Sequence, residues 1–147
     1  MLCLRRFRDD DLDECTELFL KVFSSEPWND KWESQDHVKI YLKEFINNPI
    51  FYGYVAQEDS TIIGACFSHS RTWWEGRELY IDEMFVNNER QGEGIGSRLI
   101  EYIKGDLKTE GFRAIVLLTD KDLPAEKFYV KNGFRRSDSN ILMISKL

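Results

Sequence analysis

An acidic pair, Asp82-Glu83, stands shortly before a glycine-rich turn, Gln91-Gly92-Glu93-Gly94-Ile95-Gly96-Ser97. The residues around the pair, from Tyr80 to Val86, alternate as a strand does, and an amphipathic helical pattern opens directly after the turn. Backbone N–H groups in such a turn, with the positive end of a helix dipole behind them, form a site for phosphate. Carboxylates on the strand that feeds the site add acid–base capacity. Together they describe a phosphorylated cofactor held beside a proton-transfer centre.

Three glycine motifs compete for this turn. A dinucleotide fingerprint needs G-x-G-x-x-G, but after Gly92 and Gly94 the third position falls on Ser97. A P-loop needs Gly-Lys-Ser/Thr, whereas this chain has Gly96-Ser97 with no lysine. Gln91-x-x-Gly94-x-Gly96, preceded by Asp82-Glu83-Met84-Phe85-Val86, resembles the acyl-coenzyme A motif of the GNAT superfamily of N-acetyltransferases. A second block, Ala125-x-x-x-Tyr129-x-x-x-Gly133-Phe134, resembles the segment that follows the fifth strand in the same superfamily. Its local physics is legible without the family. Pro124 suits a first helical turn with Asp122 placed to cap it, and Asn132-Gly133 ends the helix before Phe134 opens a strand.

The resemblance implies acetyl-CoA as cosubstrate and a direct transfer of its acetyl group to an amine. It implies that amides of Gln91, Gly92, Glu93, Gly94, Ile95, Gly96 and Ser97 grip the pyrophosphate. A backbone N–H at Phe85 or Val86 is placed to stabilise charge on the thioester carbonyl. Asp122, Ala125 and Phe128 fall on the cofactor side as well. At Asp122 many relatives carry an asparagine that contacts pantetheine, so the chain departs from the pattern there. Tyr129 matches the tyrosine that protonates the departing thiolate. The rival for Tyr129 is plain packing of Phe128-Tyr129 on an amphipathic helix.

An alkylammonium must lose a proton before it attacks a thioester, at a cost of roughly 4 kcal/mol at pH 7. A positioned carboxylate, acting directly or through water, can take that proton. Side chains alternate along a strand, which places Asp82 with Tyr80 and Met84 and turns Glu83 the other way. Alternation and the resemblance to polyamine and aminoglycoside acetyltransferases both favour Asp82 over Glu83, and a β-bulge would reverse the parity. The loop between the first two helices walls the acceptor site in this superfamily. Here it holds Glu26, Trp28, Asp30 and Trp32, acids and rings suited to a cation. Glu26, Trp28 and Asp82 are therefore the substrate-side candidates, with Trp28 and Trp32 equally readable as a core stripe. A small-molecule amine is the expected acceptor, polyamine-like or aminoglycoside-like. The alternatives are a protein N-acetyltransferase and a catalytically idle acyl-CoA-binding or sensor domain.

The elements that must position these groups follow from periodicity. Leu2 to Phe7 reads as a strand, and Asp9-Asp10-Asp11 caps a helix striped by Leu12, Cys15, Leu18, Phe19 and Val22. Val38, Tyr41, Leu42 and Phe45 mark a second helix ending near Asn47-Asn48-Pro49. Strands are expected over 51–57, 62–72, 79–86 and 114–119, and a final pair over 134–136 and 141–145. A helix carrying Leu99, Ile100, Ile103 and Leu107 ends near Gly111. This order is that of an α/β (α+β) GNAT fold, a mixed, mostly antiparallel sheet of six to seven strands with helices on both faces.

Composition sets limits. At 147 residues and 42% hydrophobic, residues 1–147 are expected to be a single domain with enough chain for a core, and the resemblance implies that it is an N-acetyltransferase domain. No run approaches the roughly 18 apolar residues of a membrane span, and the first residues turn charged too soon for a secretory signal. Cys3, Cys15 and Cys66 lack metal-ligand spacing, and with only His37 and His69 available no metal site is expected. Reduced thiols and no leader point to the cytoplasm. A net charge of −6 without a basic stripe argues against nucleic acid and suits a cationic substrate. Trp73-Trp74, at a hairpin end, is a candidate contact for a homodimer.

Overall fold

The computed structural model describes residues 1–147. In chain order it has β1 (Leu2–Arg6), α1 (Leu12–Phe23), α2 (Gln35–Ile46), β2 (Phe51–Glu58), β3 (Thr61–Trp73), β4 (Gly76–Val86), α3 (Ile95–Lys108), β5 (Phe112–Leu117) and α4 (Pro124–Lys131). Short 3-10 turns at Asp9–Asp11 and Asn88–Arg90 lead into α1 and into the glycine loop. The five strands form one sheet in the order β1-β2-β3-β4-β5. All neighbours are antiparallel except β4 and β5, which run parallel and are joined through α3.

Alternation along the central strands divides the core into two layers. Val55, Ala65, Phe67 and Phe85 pack against the stripe Cys15, Leu18, Phe19 and Val22 of α1 and Val38 and Leu42 of α2. Tyr54, Cys66, Leu79 and Ile81 face the other way, onto Leu99, Ile100, Ile103 and Leu107 of α3. Polar ties lock the layers in register. The hydroxyl of fully buried Tyr54 donates to Asp106 of α3 at 2.8 Å, and Arg6 of β1 pairs with the same carboxylate. No helix is long and apolar enough to cross a membrane.

The structure departs from expectation at three places. The sheet has five strands, not six to seven, because residues 134–136 and 141–145 form no strand. After α4 the chain is drawn onto that helix instead. Phe134 packs on Tyr129 with ring centroids 5.3 Å apart, and Arg136 pairs with Asp122 and Glu126. Asp11 does not cap α1 with its side chain; its carboxylate accepts from Arg5 at 2.8 and 2.9 Å and from the Arg8 amide at 2.7 Å. Nor does Asp122 cap α4. Leu123 occupies that position, and Asp122 has φ 64° with its own amide donating to Glu126.

Phe67 touches Phe7, Phe45, Phe51 and Phe85 and has no exposed surface. Phe67→Ala is expected to lower the unfolding free energy by about 3–5 kcal/mol, read from the midpoint of urea denaturation at unchanged m.

Candidate active site

Phe67 of β3 faces Glu83 of β4, yet the next residue, Ser68, faces Ile81. Asp82 is thus an extra residue in the β3–β4 ladder, a β-bulge, and it resets the alternation beyond it. Ile81 packs on the α3 side, whereas Glu83 reaches α2, accepting a 2.7 Å hydrogen bond from the Tyr41 hydroxyl. The simple alternation that turned Glu83 away from Asp82 therefore fails. Asp82 meets Nδ1 of His69 at 2.7 Å, and the His69 ring stacks on Tyr80.

The bulge coincides with a split in the sheet. β4 pairs with β5 as far as Ile81 and Leu117; beyond the bulged Asp82, the remaining residues of β4, Glu83 to Val86, pair only with β3. One edge of the strand carrying both acids is left open.

Burial governs the chemistry of this region. Desolvation lifts the Glu83 carboxyl to about 7, reinforced by the charges of Asp82 and Asp30 and opposed by the Tyr41 hydrogen bond. Burial raises the Tyr41 phenol too, with Glu83 adding to it. The Tyr129 phenol is likewise pushed up by burial, and the charges of Cys66 and Glu83 act in the same sense. Tyr129 packs between Phe128 and Phe134 and its hydroxyl has no hydrogen-bond partner in the protein. A neutral phenol is therefore kept within electrostatic reach of a carboxyl that titrates near neutrality.

Beyond β4 the glycine loop is built to meet a ligand through its backbone. Gly92 and Gly94 take φ of 86° and 81°, and a Cβ on either would meet open space. The first bond of α3 runs from Arg98 N–H to Gly94 O, so the preceding amides lie ahead of the helical ladder. None of the amides from Gln91 to Ser97 donates to an acceptor within the protein. Gln91 braces the loop by donating through Nε2 to Val86 O at 3.2 Å. Gly96 serves packing, since a Cβ there would come within 3.0 Å of the Phe128 ring. Ile95 turns inward onto Ala56 and Ile63 and leaves only its backbone to the loop. Phe85 is a core side chain in the same way, packed on Phe19 and Phe23. Arg90 is committed to Glu58 and Glu93, whereas Arg98 is exposed and in no ion pair. Free amides, open space at two left-handed glycines and the start of a fourteen-residue helix fit a pyrophosphate.

Several expected residues are not brought to this centre. Asp122 is tied to Arg136 on the outside of α4, and Glu26 is exposed with no bond to either acid. Trp28 packs on Phe23, while Trp32 packs on Phe19 and Tyr41 and buries an indole N–H that has no acceptor. Neither tryptophan lies on a helix. Asp30 is the loop residue whose charge is felt at Glu83. Tyr41 and His69 were not singled out from the sequence. Tyr41 shares the helical spacing of a core stripe, which says which face it lies on but not what its hydroxyl meets. His69 has no motif around it.

Residues 11–134 match the family model described as the acetyltransferase (GNAT) family. The chain belongs to that family, and it is an acetyl-CoA-dependent N-acetyltransferase. Solved structures with the same fold include an aminoglycoside acetyltransferase from an uncultured soil metagenomic sample, in complex with sisomicin. It is 23% identical with a TM-score of 0.77, over 99% of this chain and 96% of that one. A possible acetyltransferase from Clostridium difficile 630 superposes with a TM-score of 0.83 at 18% identity, over 100% and 99% of the two chains. The aminoglycoside N-acetyltransferase AAC(6')-Iy in complex with CoA gives 0.78 at 15% identity, over 100% and 96%.

Two outcomes follow from this geometry. Gly94→Val puts a β-branched residue at φ 81° and a side chain into the open loop, so calorimetry should show acetyl-CoA binding weakened at least about ten-fold with the circular dichroism spectrum unchanged. The raised Glu83 carboxyl also makes stability depend on pH. Below the unfolded-state value the group is neutral in both states and carries no penalty. Between that value and about 7 the unfolded chain ionises while the folded one holds its proton, so up to about 3 kcal/mol of stability is lost across this window and no more above it. Denaturation at pH 5 and pH 8 should show that fall in the native protein and its absence in Glu83→Gln.

Proposed function

We propose that the protein N-acetylates a small-molecule polycationic amine, polyamine-like or aminoglycoside-like, with Glu83 as general base and Tyr129 as general acid. The observation that carries this reading is a half-buried carboxyl poised near pH 7 on the open edge of β4. General bases work best when their pKa lies near the operating pH. Asp82 carries the same formal charge, but it is engaged by His69; its role in this reading is to attract the ammonium and to keep Glu83 basic.

Acetyl-CoA supplies the activated acyl thioester. The amides from Gln91 to Ser97 hold its pyrophosphate. Ala125 and Phe128 on α4, and the backbone of Phe85 and Val86, line the way from the loop to the acids. The bound ammonium gives its proton to Glu83, directly or through water. As the N–C bond forms and the C–S bond breaks, the Tyr129 hydroxyl gives its proton to the sulfur. The acylated nitrogen sheds its second proton, which restores the Tyr129 phenol through water, and Glu83 returns the first to solvent, so both groups end as they began and one proton is released per turnover. Desolvation keeps the Tyr129 phenol protonated until the thiolate departs.

The acceptor class rests on the surroundings of the acids. Asp82, Glu83 and Asp30 supply negative charge, and Tyr41, backed by Trp32, puts aromatic surface beside Glu83. Carboxylates with aromatic walls favour an alkylammonium bearing further positive charges. The sisomicin-bound relative is consistent with this class.

Glu83→Gln should lower kcat by about 10²–10⁴-fold with acetyl-CoA affinity unchanged, and should abolish the acid limb near pH 7 in the profile of kcat/KM. Asp82→Asn should act mainly on KM for the amine. Tyr129→Phe should lower kcat with cofactor binding intact. Thiol release measured across a panel of amines checks all three. Binding of acetyl-CoA without release from any amine would favour the idle acyl-CoA-binding domain, and a Glu83→Gln enzyme of full activity would return the base to Asp82.

A further inference from the structure

Glu83 stands among groups that disfavour its charge. Asp82 beside it on β4 and Asp30 in the loop before α2 add negative charge, and burial removes the water that would offset them. Its other titratable neighbours bring no cation to it. Cys66 on β3 and Tyr129 on α4 both feel the same carboxylate, and His69 on β3 is taken by Asp82. The one group that favours the carboxylate is the Tyr41 hydroxyl, which donates to Oε1 at 2.7 Å.

Tyr41 is placed for that contact alone. Its ring on α2 is walled by Phe45, Trp32 and Phe19, with centroids 4.9, 5.2 and 5.9 Å away. None of these side chains carries an acceptor, and Glu83 is the hydroxyl's only hydrogen-bond partner in the protein. Burial pushes the phenol's ionisation far upward, so Tyr41 stays a donor and cannot itself take the amine's proton. Glu83 makes no other side-chain hydrogen bond, so Oε1 is held while Oε2 is unpaired.

We propose that Tyr41 is a positioning residue for the acyl transfer, fixing Glu83 through Oε1 and leaving Oε2 to take the ammonium proton. This role rests on the reading of Glu83 as general base. Glu83 reaches its partner from a side chain with three rotatable bonds, and a base that wanders from its substrate loses rate. The same hydrogen bond opposes desolvation and like charge, holding the carboxyl at about 7 where they would carry it higher. Tyr41 thus keeps a buried base ionised at neutral pH, where a general base is most useful.

The test is Tyr41→Phe, which removes the hydroxyl and keeps the ring. The acid limb of kcat/KM, followed by thiol release, should move up by about one to two pH units, the worth of a hydrogen bond to a charged group. On the plateau kcat should fall about ten-fold, with acetyl-CoA affinity unchanged by calorimetry. The Glu83 carboxyl, titrated by nuclear magnetic resonance, should move upward with the limb. Tyr41→Phe added to Glu83→Gln should cost no further rate, because no base remains to be held. A lower urea midpoint with limb and carboxyl titration both unmoved would make Tyr41 a packing residue and overturn the proposal. A limb lost in Glu83→Gln but unmoved in Tyr41→Phe would overturn the role of Tyr41 alone. A limb that survives Glu83→Gln would overturn the base reading and this role with it, even if the carboxyl titration still moves.

Discussion

Between Ile81 and Glu83 the β3–β4 ladder takes in one residue too many, and at the same level β5 stops pairing with β4. These two facts set up the site. The bulge brings Asp82 to His69 and Glu83 to Tyr41, both on the side of the sheet that α1 and α2 cover. The end of pairing frees the strand edge next to them, so a ligand can lie where a neighbouring strand otherwise would. Without the extra residue, alternation would turn Glu83 toward α3, away from Tyr41 and the loop that carries Asp30. Its carboxyl would then lose the environment that lifts it toward neutrality.

The two core layers act as supports for this opening. On one side Phe19, Phe23 and Phe67 hold Phe85, which anchors the last turn of β4 against α1. On the other, Ile95 and Leu99 seat the first turn of α3, so the glycine loop before it is short and fixed at both ends. Gly96 lets the Phe128 ring of α4 come close to that turn, which brings Tyr129 to the same end of the molecule. Packing thus sets three separate chain segments, the β4 edge, the loop and α4, around one opening. The polar groups left unpaired there are chiefly backbone amides, and those are the groups that a phosphate can satisfy.

Much of this was legible in the sequence, and the parts that were not share a cause. Helical stripes such as Leu99, Ile100, Ile103 and Leu107 name their elements because burial repeats with the helical period. The turn from Gln91 to Ser97 announces itself because left-handed backbone selects glycine at 92 and 94. The bulge at Asp82 does not, since it carries no glycine and exists only in the pairing with β3. Tyr41 was readable as a core residue but not as a hydrogen-bond donor to Glu83, because periodicity fixes a face and not a contact. The strands expected over 134–136 and 141–145 have strand-like residues, but a strand forms only with a partner, and the chain from Phe134 to Arg136 is held by α4 instead.

The central claim is that the fold around the β4 bulge makes Glu83 a carboxyl that changes charge near neutral pH. Selective 13C labelling of glutamate carboxyls, assigned with Glu83→Gln, lets that group be titrated by nuclear magnetic resonance in the native protein. An inflection for Glu83 at about pH 7, well separated from the other glutamates, is the predicted result. An inflection in the ordinary range near 4 would contradict the account, because the carboxylate would then be an exposed charge with no reason to act as the base.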